Sequence, residues 1–460
     1  MSLTVGFDLD MTLVDTRPGV RASMVRLAAE LGVVIDADLV VARLGPPLEV
    51  ELAHWLPAED VPAAADRFRE LMAAFGAADC IALPGAVEAV AAVRAAGARV
   101  VVVTAKQESL ARITLAAAGI EVDAVHGWLW SEAKGEALGA EGATVYVGDH
   151  PHDVLGARIA GAVSVGVATG GTPPEGADVL LEDLTGFPAW WDEHLLDVRL
   201  GLLAGRLREL DSVLVAFSGG ADSAFLLAAA VRALGPERVV AATAVSPSLA
   251  QAELPAAAAY AESLGVRHVT PGTDELSRDG YVANAGDRCF HCKATLLDTL
   301  RPLAHDLGLA HVATGTNADD AVAGFRPGIR AAAERGAATP LLDAGLTKAQ
   351  IRAASRRWGL VTADKPALAC LASRIAYGVQ VTPSRLARVD AAETALRVHL
   401  GDVVTDLRVR DLGDGVARVE LDPLALARCD ESALDVVRAS GFDVVTAVAY
   451  RTGSLNDALV

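Results

Sequence analysis

Short apolar runs recur along the chain, separated by longer stretches whose apolar positions fall three or four residues apart. The first run is Leu3–Phe7, and Ala98–Val103, Thr144–Val147, Ser164–Val167 and Val179–Leu181 follow it. Uninterrupted runs rich in valine predict strands buried on both faces. Their alternation with helical spacing predicts a parallel sheet joined by crossover helices. Residues Gly19–Phe75 break the rhythm and read as mostly helical, an insert after the first strand. Pro188–Leu210, which contains Trp190 and Trp191, is patterned as an amphipathic helix. A second series then begins at Ser212–Phe217 and continues with Val239–Ala244, Arg267–Thr270 and His311–Ala313. From about Val381 helices mix with short strands at Asp406–Val409, Ala417–Leu421 and Val444–Ala449, an α+β pattern. The chain therefore predicts an α/β fold with domains at 1–197, 198–378 and 379–460, the helical insert occupying about 16–80 of the first.

Length and composition agree. A chain of 460 residues is too long for one ordinary core, and 52% hydrophobic residues can fill several. The net charge of −19 is unevenly spread. Residues 1–200 hold 13 basic and 29 acidic residues, net −16, whereas the remainder holds 27 and 30, net −3. The first part would repel a phosphate backbone, and the second leaves room only for a local basic patch, so a nucleic-acid partner is not expected. Five cysteines at irregular spacing, with no leader pattern at the start, argue against a secreted disulfide framework. No run approaches the length of a membrane span, so a cytoplasmic protein is expected.

The chemistry near the start sits where a strand ends. Asp8-Leu-Asp10-Met-Thr12 follows Leu3–Phe7 directly. In open α/β sheets ligands lie outside the carboxyl ends of strands. There Asp8 can attack a phosphoryl group while Asp10 handles the leaving-group proton. Thr104 closes another strand and can bond a phosphoryl oxygen, and Lys134 can neutralise charge. Gly148-Asp149-His-Pro-His-Asp153 follows a third strand and supplies the oxygen ligands that magnesium prefers. These four elements, in this order, resemble the haloacid dehalogenase superfamily of phosphatases over roughly residues 1–190. The resemblance implies Asp8 as nucleophile and Asp10 as acid/base. It also implies Mg2+ held by Asp8, Asp10, Asp149 and Asp153, and a mobile cap formed by the helical insert. His150 and His152 read as loop residues without a role.

In the second half Ser218-Gly219-Gly220-Ala-Asp222-Ser223 lies between a strand and the apolar helix Ala224–Ala233. Glycines let the backbone approach an anion, and a helix N-terminus supplies free N–H groups. The lysine of a Walker A loop is missing. The hexapeptide resembles the pyrophosphate loop of PP-loop ATPases, which implies ATP as cosubstrate and cleavage between its α- and β-phosphates. Further segments are Asp287-Arg-Cys289-Phe-His-Cys292-Lys293, Thr314-Gly-Thr-Asn317-Ala-Asp319-Asp320 and Phe325-Arg326-Pro-Gly. Pro340-Leu-Leu, Gly345-Leu-Thr-Lys348 and Lys365 through Gly378 follow, and Tyr450 through Asn456 nearly ends the chain. Together they resemble the LarE-type sacrificial sulfur transferases over roughly 200–460, so two Rossmann-like sheet domains and a small α+β appendage are expected. The resemblance implies adenylation of a carboxylate on a pyridinium dicarboxylate mononucleotide, with Cys370 as the sulfur-bearing residue. Cys289, Cys292 and Cys370 also stand where some relatives hold a 4Fe–4S cluster, in which case a cluster sulfide is the sulfur source. Zinc or free thiols are the alternatives, and His291 inside the CxxC is a poor ligand candidate.

Arg374, Arg408 and Arg410 are candidates for the substrate's phosphate, because guanidinium pairs with phosphate bidentately. Arg408 and Arg410 alternate along one strand and share a face, though solvated surface arginines would show the same spacing. Glu393 lies in a helical segment where the family carries a functional acid. Cys80 and Cys429 match no motif and read as ordinary buried or half-buried thiols. A tRNA thiolase, an ammonia-using ATP pyrophosphatase and a binding protein with inert sites are the competing functions. The intact Asp8, Asp10, Ser218 and Asp222 speak against the last. The LarE resemblance further implies a homo-oligomer acting on a small-molecule nucleotide.

Overall fold

Valine and leucine runs without polar alternation produce strands covered on both faces, and the computed structural model places them so. It describes residues 3–44, 46–322, 327–366 and 370–451. The chain forms two units, Met1–Leu195 and Leu196–Val460. The helix Phe187–Leu210 begins in the first and ends in the second.

The first unit has a six-stranded parallel sheet: β1 (Thr4–Phe7), β2 (Arg99–Val103), β3 (Ala124–His126), β4 (Ala143–Gly148), β5 (Val163–Val167) and β6 (Val179–Leu181), in the order β3-β2-β1-β4-β5-β6. Phe7, Val100, Val102, Val145 and Val147 are buried in one core, joined by Phe187 and Trp191 from the start of the long helix. The chain leaves β1 for β2 on one side and later returns to β4 on the other. The crevice between β1 and β4, at their carboxyl ends, is the topological switch point where such sheets bind ligands. The helical insert comprises Arg17–Leu31, Ala37–Ala42, Leu48–Leu52 and Val61–Ala74. It is tied at its root by a two-stranded antiparallel pair, Val14–Asp15 with Ile81–Ala82. The short β3 was not evident in the sequence, because its three residues carry no apolar run.

The second unit begins with a four-stranded parallel sheet: β7 (Val213–Ala216), β8 (Val239–Ala242), β9 (Arg267–Val269) and β10 (His311–Ala313), in the order β9-β8-β7-β10. Its switch point lies between β7 and β10. A second sheet pairs β11 (Leu407–Gly413) antiparallel with β12 (Val416–Leu421), which runs parallel to β13 (Val444–Ala449). The helix Pro383–Leu400 covers it through Leu386, Val389 and Leu396. The same core takes in Tyr281, Leu371, Ala372 and Ile375, so the segment after Cys370 packs with the C-terminal sheet.

That sheet buries charge. Arg408 and Arg410 are each only 6% exposed, so the solvated-arginine alternative does not hold for either. Glu420, 1% exposed, receives Arg410 Nε at 3.0 Å and Nη2 at 2.8 Å, and Arg418 Nη2 lies at 3.2 Å. Removing one partner of a buried pair strands the other's charge. Glu420→Ala is therefore expected to destabilise the second unit by about 3–5 kcal/mol, read from urea unfolding.

Among the described residues no helix is long and apolar enough to cross a membrane.

Candidate active sites

In the first unit two strand ends and a helix start deliver carboxylates to one point. Asp8 follows β1, its N–H bonded to Val147 O at 2.8 Å, and Asp149 follows β4. Asp153 lies in the first turn of the helix Pro151–Ala160. Ligand oxygens of Asp8, Asp149 and Asp153 all lie within 4.8 Å of one another. Gly148 permits this, because a Cβ there would collide with the Asp153 carboxyl group. Lys134 Nζ bridges two of the three, at 2.8 Å from Asp8 Oδ1 and 2.6 Å from Asp153 Oδ1. Thr12 donates to Asp149 at 2.9 Å. Thr104, 1% exposed, lines the same cavity.

Three carboxylates and one ammonium leave a formal excess of two negative charges in a buried place. Burial, with Asp153 and Asp10 adding repulsion that Lys134 only partly offsets, pushes the Asp8 carboxyl up to about 7. Burial, together with Asp8 and Asp153, pushes Asp149 up to about 8. Burial pulls the Lys134 ammonium down, but Asp153 and Asp8 outweigh it and hold the group protonated well above its usual range. A divalent cation fits this charge and this all-oxygen donor set. Metal binding must displace the protons. Each raised pKa means the metal-free fold is favoured by protonation, so its stability falls as pH rises through about 7 to 8. Mg2+ is accordingly expected to bind about tenfold or more tightly at pH 8.5 than at pH 6.5. Titration of the thermal shift against Mg2+ at the two pH values measures this.

Asp10 stands apart from the carboxylate group. Its Oδ1 accepts from Lys106 Nζ and Thr16 Oγ1, each at 2.6 Å. The structure thus gives it partners for proton handling and leaves three, not four, converging carboxylates. Lys106 escaped the sequence reading, although its place two residues beyond Thr104, at a strand end, was the available signal. Of the two histidines read as loop residues, His150 lies between strand and helix, and His152 lies within the helix. His150 caps the helix Pro151–Ala160, its ring accepting the His152 N–H at 3.2 Å, and His152 lies in the first turn. Their rings stack at 5.1 Å, and both meet Trp130. Cys80 is buried and Cys429 half-buried, as their lack of motif implied.

In the second unit the turn after β7 opens the helix Ala221–Leu234. Gly219 holds φ +74, a conformation other residues rarely adopt. Ser218 Oγ lies 3.1 Å from Ser223 Oγ, which donates to Gly220 O at 3.1 Å, closing the turn on itself. Distant segments converge here. Lys365 Nζ reaches Gly219 O at 3.0 Å and Glu253 at 2.9 Å. Asn317, beyond β10, donates to Asp222 at 3.0 Å. Lys348 Nζ pairs with Asp320 at 2.9 Å, and its backbone N–H bonds Asp319 at 2.7 Å. Burial raises the Asp222 carboxyl, with Lys348 opposing and Asp320 reinforcing the shift.

The sulfur-bearing residues form a second cluster. Cys370 is exposed, its carbonyl accepting from Ser373 Oγ at 2.7 Å and Arg374 Nη1 at 3.3 Å. Leu371 N–H bonds Ser248 O at 3.0 Å, near the carboxyl end of β8. Burial raises the Cys292 thiol, and the next causes are Cys370 and then Glu275 and Cys289, so Cys292 lies within electrostatic reach of both other sulfurs. Among the described residues the three sulfurs are not a set converging within 4.8 Å. Arg374 clasps Glu393 through Nε at 2.9 Å and Nη2 at 3.1 Å, and Glu393 also takes the Val409 N–H at 2.9 Å. Arg410 Nη1 donates to Ser373 O at 2.8 Å. Burial lowers the Arg408 guanidinium, with Arg374 the next cause. Arg374, Arg408 and Arg410 are therefore one buried group beside Cys370, three guanidiniums against the carboxylates of Glu393 and Glu420. Phe325, Arg326, residues 367–369 and the stretch ending at Asn456 lie outside the described residues.

Residues 5–158 match the family of haloacid dehalogenase-like hydrolases. Over 210 residues the chain is 34% identical to the phosphoglycolate phosphatase of Caulobacter vibrioides, spanning 40% of this chain and 89% of that protein. Over 269 residues, in its C-terminal part, it is 33% identical to the pyridinium-3,5-bisthiocarboxylic acid mononucleotide synthase of Lactiplantibacillus plantarum, a LarE protein, spanning 57% of this chain and 96% of that one. The chain belongs to both families, haloacid dehalogenase-like hydrolases first and LarE second. It is also 41% identical over 272 residues to the uncharacterized protein slr1717 of Synechocystis sp., across 58% of this chain and 99% of that one. Membership explains why the hydrolase motifs end before the long helix and why the LarE-type cysteines and arginines belong to one unit.

Proposed function

We propose that the chain is a bifunctional enzyme. Its LarE unit adenylates a carboxylate of pyridinium-3,5-biscarboxylic acid mononucleotide with ATP and converts it to a thiocarboxylate, a step toward a nickel-pincer nucleotide. Its first unit is a Mg2+-dependent phosphatase.

A free carboxylate resists nucleophiles because its own charge repels them. A carboxylate oxygen attacks the α-phosphorus of ATP, pyrophosphate leaves, and the acyl group then carries AMP as a leaving group. The turn Ser218–Ser223, with the N-terminus of Ala221–Leu234, holds the phosphates. Asp222, its carboxylate oriented by Asn317, would hold a cation bound to ATP. A sulfur nucleophile displaces AMP. If that sulfur is Cys370, cleavage of its Cβ–S bond with loss of the α-proton leaves dehydroalanine. Cys289, Cys292 and Cys370 would hold a 4Fe–4S cluster, which would instead supply a labile sulfide, and the electrostatic reach of Cys370 and Cys289 to Cys292 supports this.

The observation that carries this reading is the double anchoring of the Cys370 segment. Lys365 reaches the phosphate turn, and Leu371 is fixed to Ser248, both at the carboxyl end of one sheet. The three arginines, one more than the two glutamates they face, then offer a net positive charge to the substrate's phosphate. The test is ATP–pyrophosphate exchange dependent on the pyridinium substrate. Asp222→Ala is expected to lower it about 100-fold or more, as loss of a carboxylate that holds the ATP-bound cation does. Exchange without substrate dependence, or unchanged in Asp222→Ala, overturns the proposal. Iron and acid-labile sulfide, measured after anaerobic purification, separate the two sulfur sources.

In the first unit Asp8 attacks the phosphorus, Asp10 protonates the departing alcohol, and water then releases phosphate from the aspartyl group. Lys134 keeps Asp8 oriented, and Asp149 and Asp153 would hold the Mg2+ together with Asp8.

A further inference from the structure

Resting on the phosphatase reading of the first unit, we infer that its site takes monoesters whose alcohol carries an uncharged aromatic ring, with nucleoside 5′-monophosphates as the type. Small phosphorylated acids are the poorer substrates.

The cavity above Asp8 has a volume of about 320 Å³. At roughly 30 Å³ per water that is space for about ten waters, far more than a phosphoryl group with a two-carbon acid displaces. Beyond the phosphoryl end its wall is largely apolar and aromatic, with Leu44, Leu48, Phe68, Trp128 and Trp130. A ring placed there exchanges water contact for apolar contact on its faces.

Charge points the same way. The cations at that end are Arg43 and Arg69, and each is matched by a carboxylate that also lines the cavity. Arg43 lies 3.8 Å from Glu51, and Arg69 is paired with Glu49. The two arginines and two glutamates sum to zero. A second anionic group on the substrate would have to break one of these pairs to gain a partner, whereas a neutral ring breaks none.

Trp128 is built for contact. It is 54% exposed and keeps φ at +61°, an unusual backbone state for so large a residue. Bonds from Trp128 N–H to Lys106 O at 2.9 Å and from Leu129 N–H to Thr104 O at 3.0 Å hold it there. Gly127 packs so tightly on Glu108 that a Cβ would collide with the backbone. The Arg69 guanidinium covers the Trp128 ring at 4.4 Å. The loop that carries the catalytic Thr104 thus also fixes the aromatic wall. The reaction proposed for the second unit releases a monoester of the inferred type, AMP, in every turnover.

The full chain with Mg2+ and no ATP is assayed on AMP and on 2-phosphoglycolate. Stacking of a base on an aromatic side chain predicts a kcat/KM ratio favouring AMP by about 10- to 100-fold. Trp128→Ala is expected to lower that ratio about tenfold, and Trp128→Phe to keep most of it. A wild-type ratio at or below one overturns the inference and leaves the phosphatase reading standing. A ratio unmoved by Trp128→Ala overturns the role given to the aromatic wall. If neither ester is hydrolysed, or if Asp8→Asn hydrolyses both normally, the phosphatase reading falls and the inference falls with it.

Discussion

Asp8→Asn removes phosphate-monoester hydrolysis, lowering kcat by roughly 10⁴-fold or more, the scale seen when a nucleophile is taken out of a covalent mechanism. The substitution keeps shape and deletes charge. An amide in place of the Asp8 carboxylate cannot form the aspartyl phosphate, and it changes the local balance from three carboxylates and one ammonium to two and one. Because desolvation is what pushes Asp8 up to about 7, the neutral amide is cheap to bury, and the variant should melt no lower than the wild type in metal-free buffer at pH 8. Steady-state release of phosphate, with Mg2+ saturating, measures the first effect, and calorimetry the second. Retained hydrolysis would remove Asp8 from the role of nucleophile. ATP–pyrophosphate exchange by the LarE unit is the internal control, since Asp8 takes no part in it.

Cys370→Ser abolishes thiocarboxylate formation while ATP–pyrophosphate exchange survives. The sulfur is the atom transferred, or one of three holding the cluster that supplies it, and a serine hydroxyl at neutral pH is neither a thiolate nor a sulfur donor. The residue is exposed, precedes the turn Leu371–Arg374, and is held through its carbonyl by Ser373 and Arg374, so the exchange of sulfur for oxygen leaves its backbone contacts intact. Product mass spectrometry and exchange kinetics on the same preparation separate chemistry from folding. Thiocarboxylate formed by Cys370→Ser at the wild-type rate would exclude both sulfur sources at once. Loss of exchange together with product would show that the variant has lost the adenylating site. If the wild type yields product and loses one hydrogen sulfide from its own mass, Cys370 is the donor, and the cluster is not needed.

The chemistry of both sites was legible because it sits at strand ends. A parallel sheet leaves its carboxyl ends open, so Asp8, Thr104, Asp149 and Ser218 announce themselves as polar residues that terminate apolar runs. Periodicity likewise marked the helical insert, the long helix Phe187–Leu210 and eleven of the thirteen strands of the three main sheets within a residue or two. The remainder was hidden for identifiable reasons. β3 is three residues long and has no run to detect. The true length of β11 depended on where its neighbour stopped pairing.

Sequence alone decided which residues could do chemistry, because residue type and position relative to a strand set a group's reach and charge. It could not decide which of them meet. Asp10 turning to Lys106, Lys134 bridging Asp8 and Asp153, Lys365 reaching Gly219, and Arg374 clasping Glu393 join positions up to 146 residues apart. Burial was also undecidable, since Arg408 and Arg410 read the same on a wet face as on a dry one until helix Pro383–Leu400 and the turn Leu371–Arg374 are known to cover their strand. The free energy of a buried charge depends on what surrounds it in space, and only the packed chain specifies those surroundings.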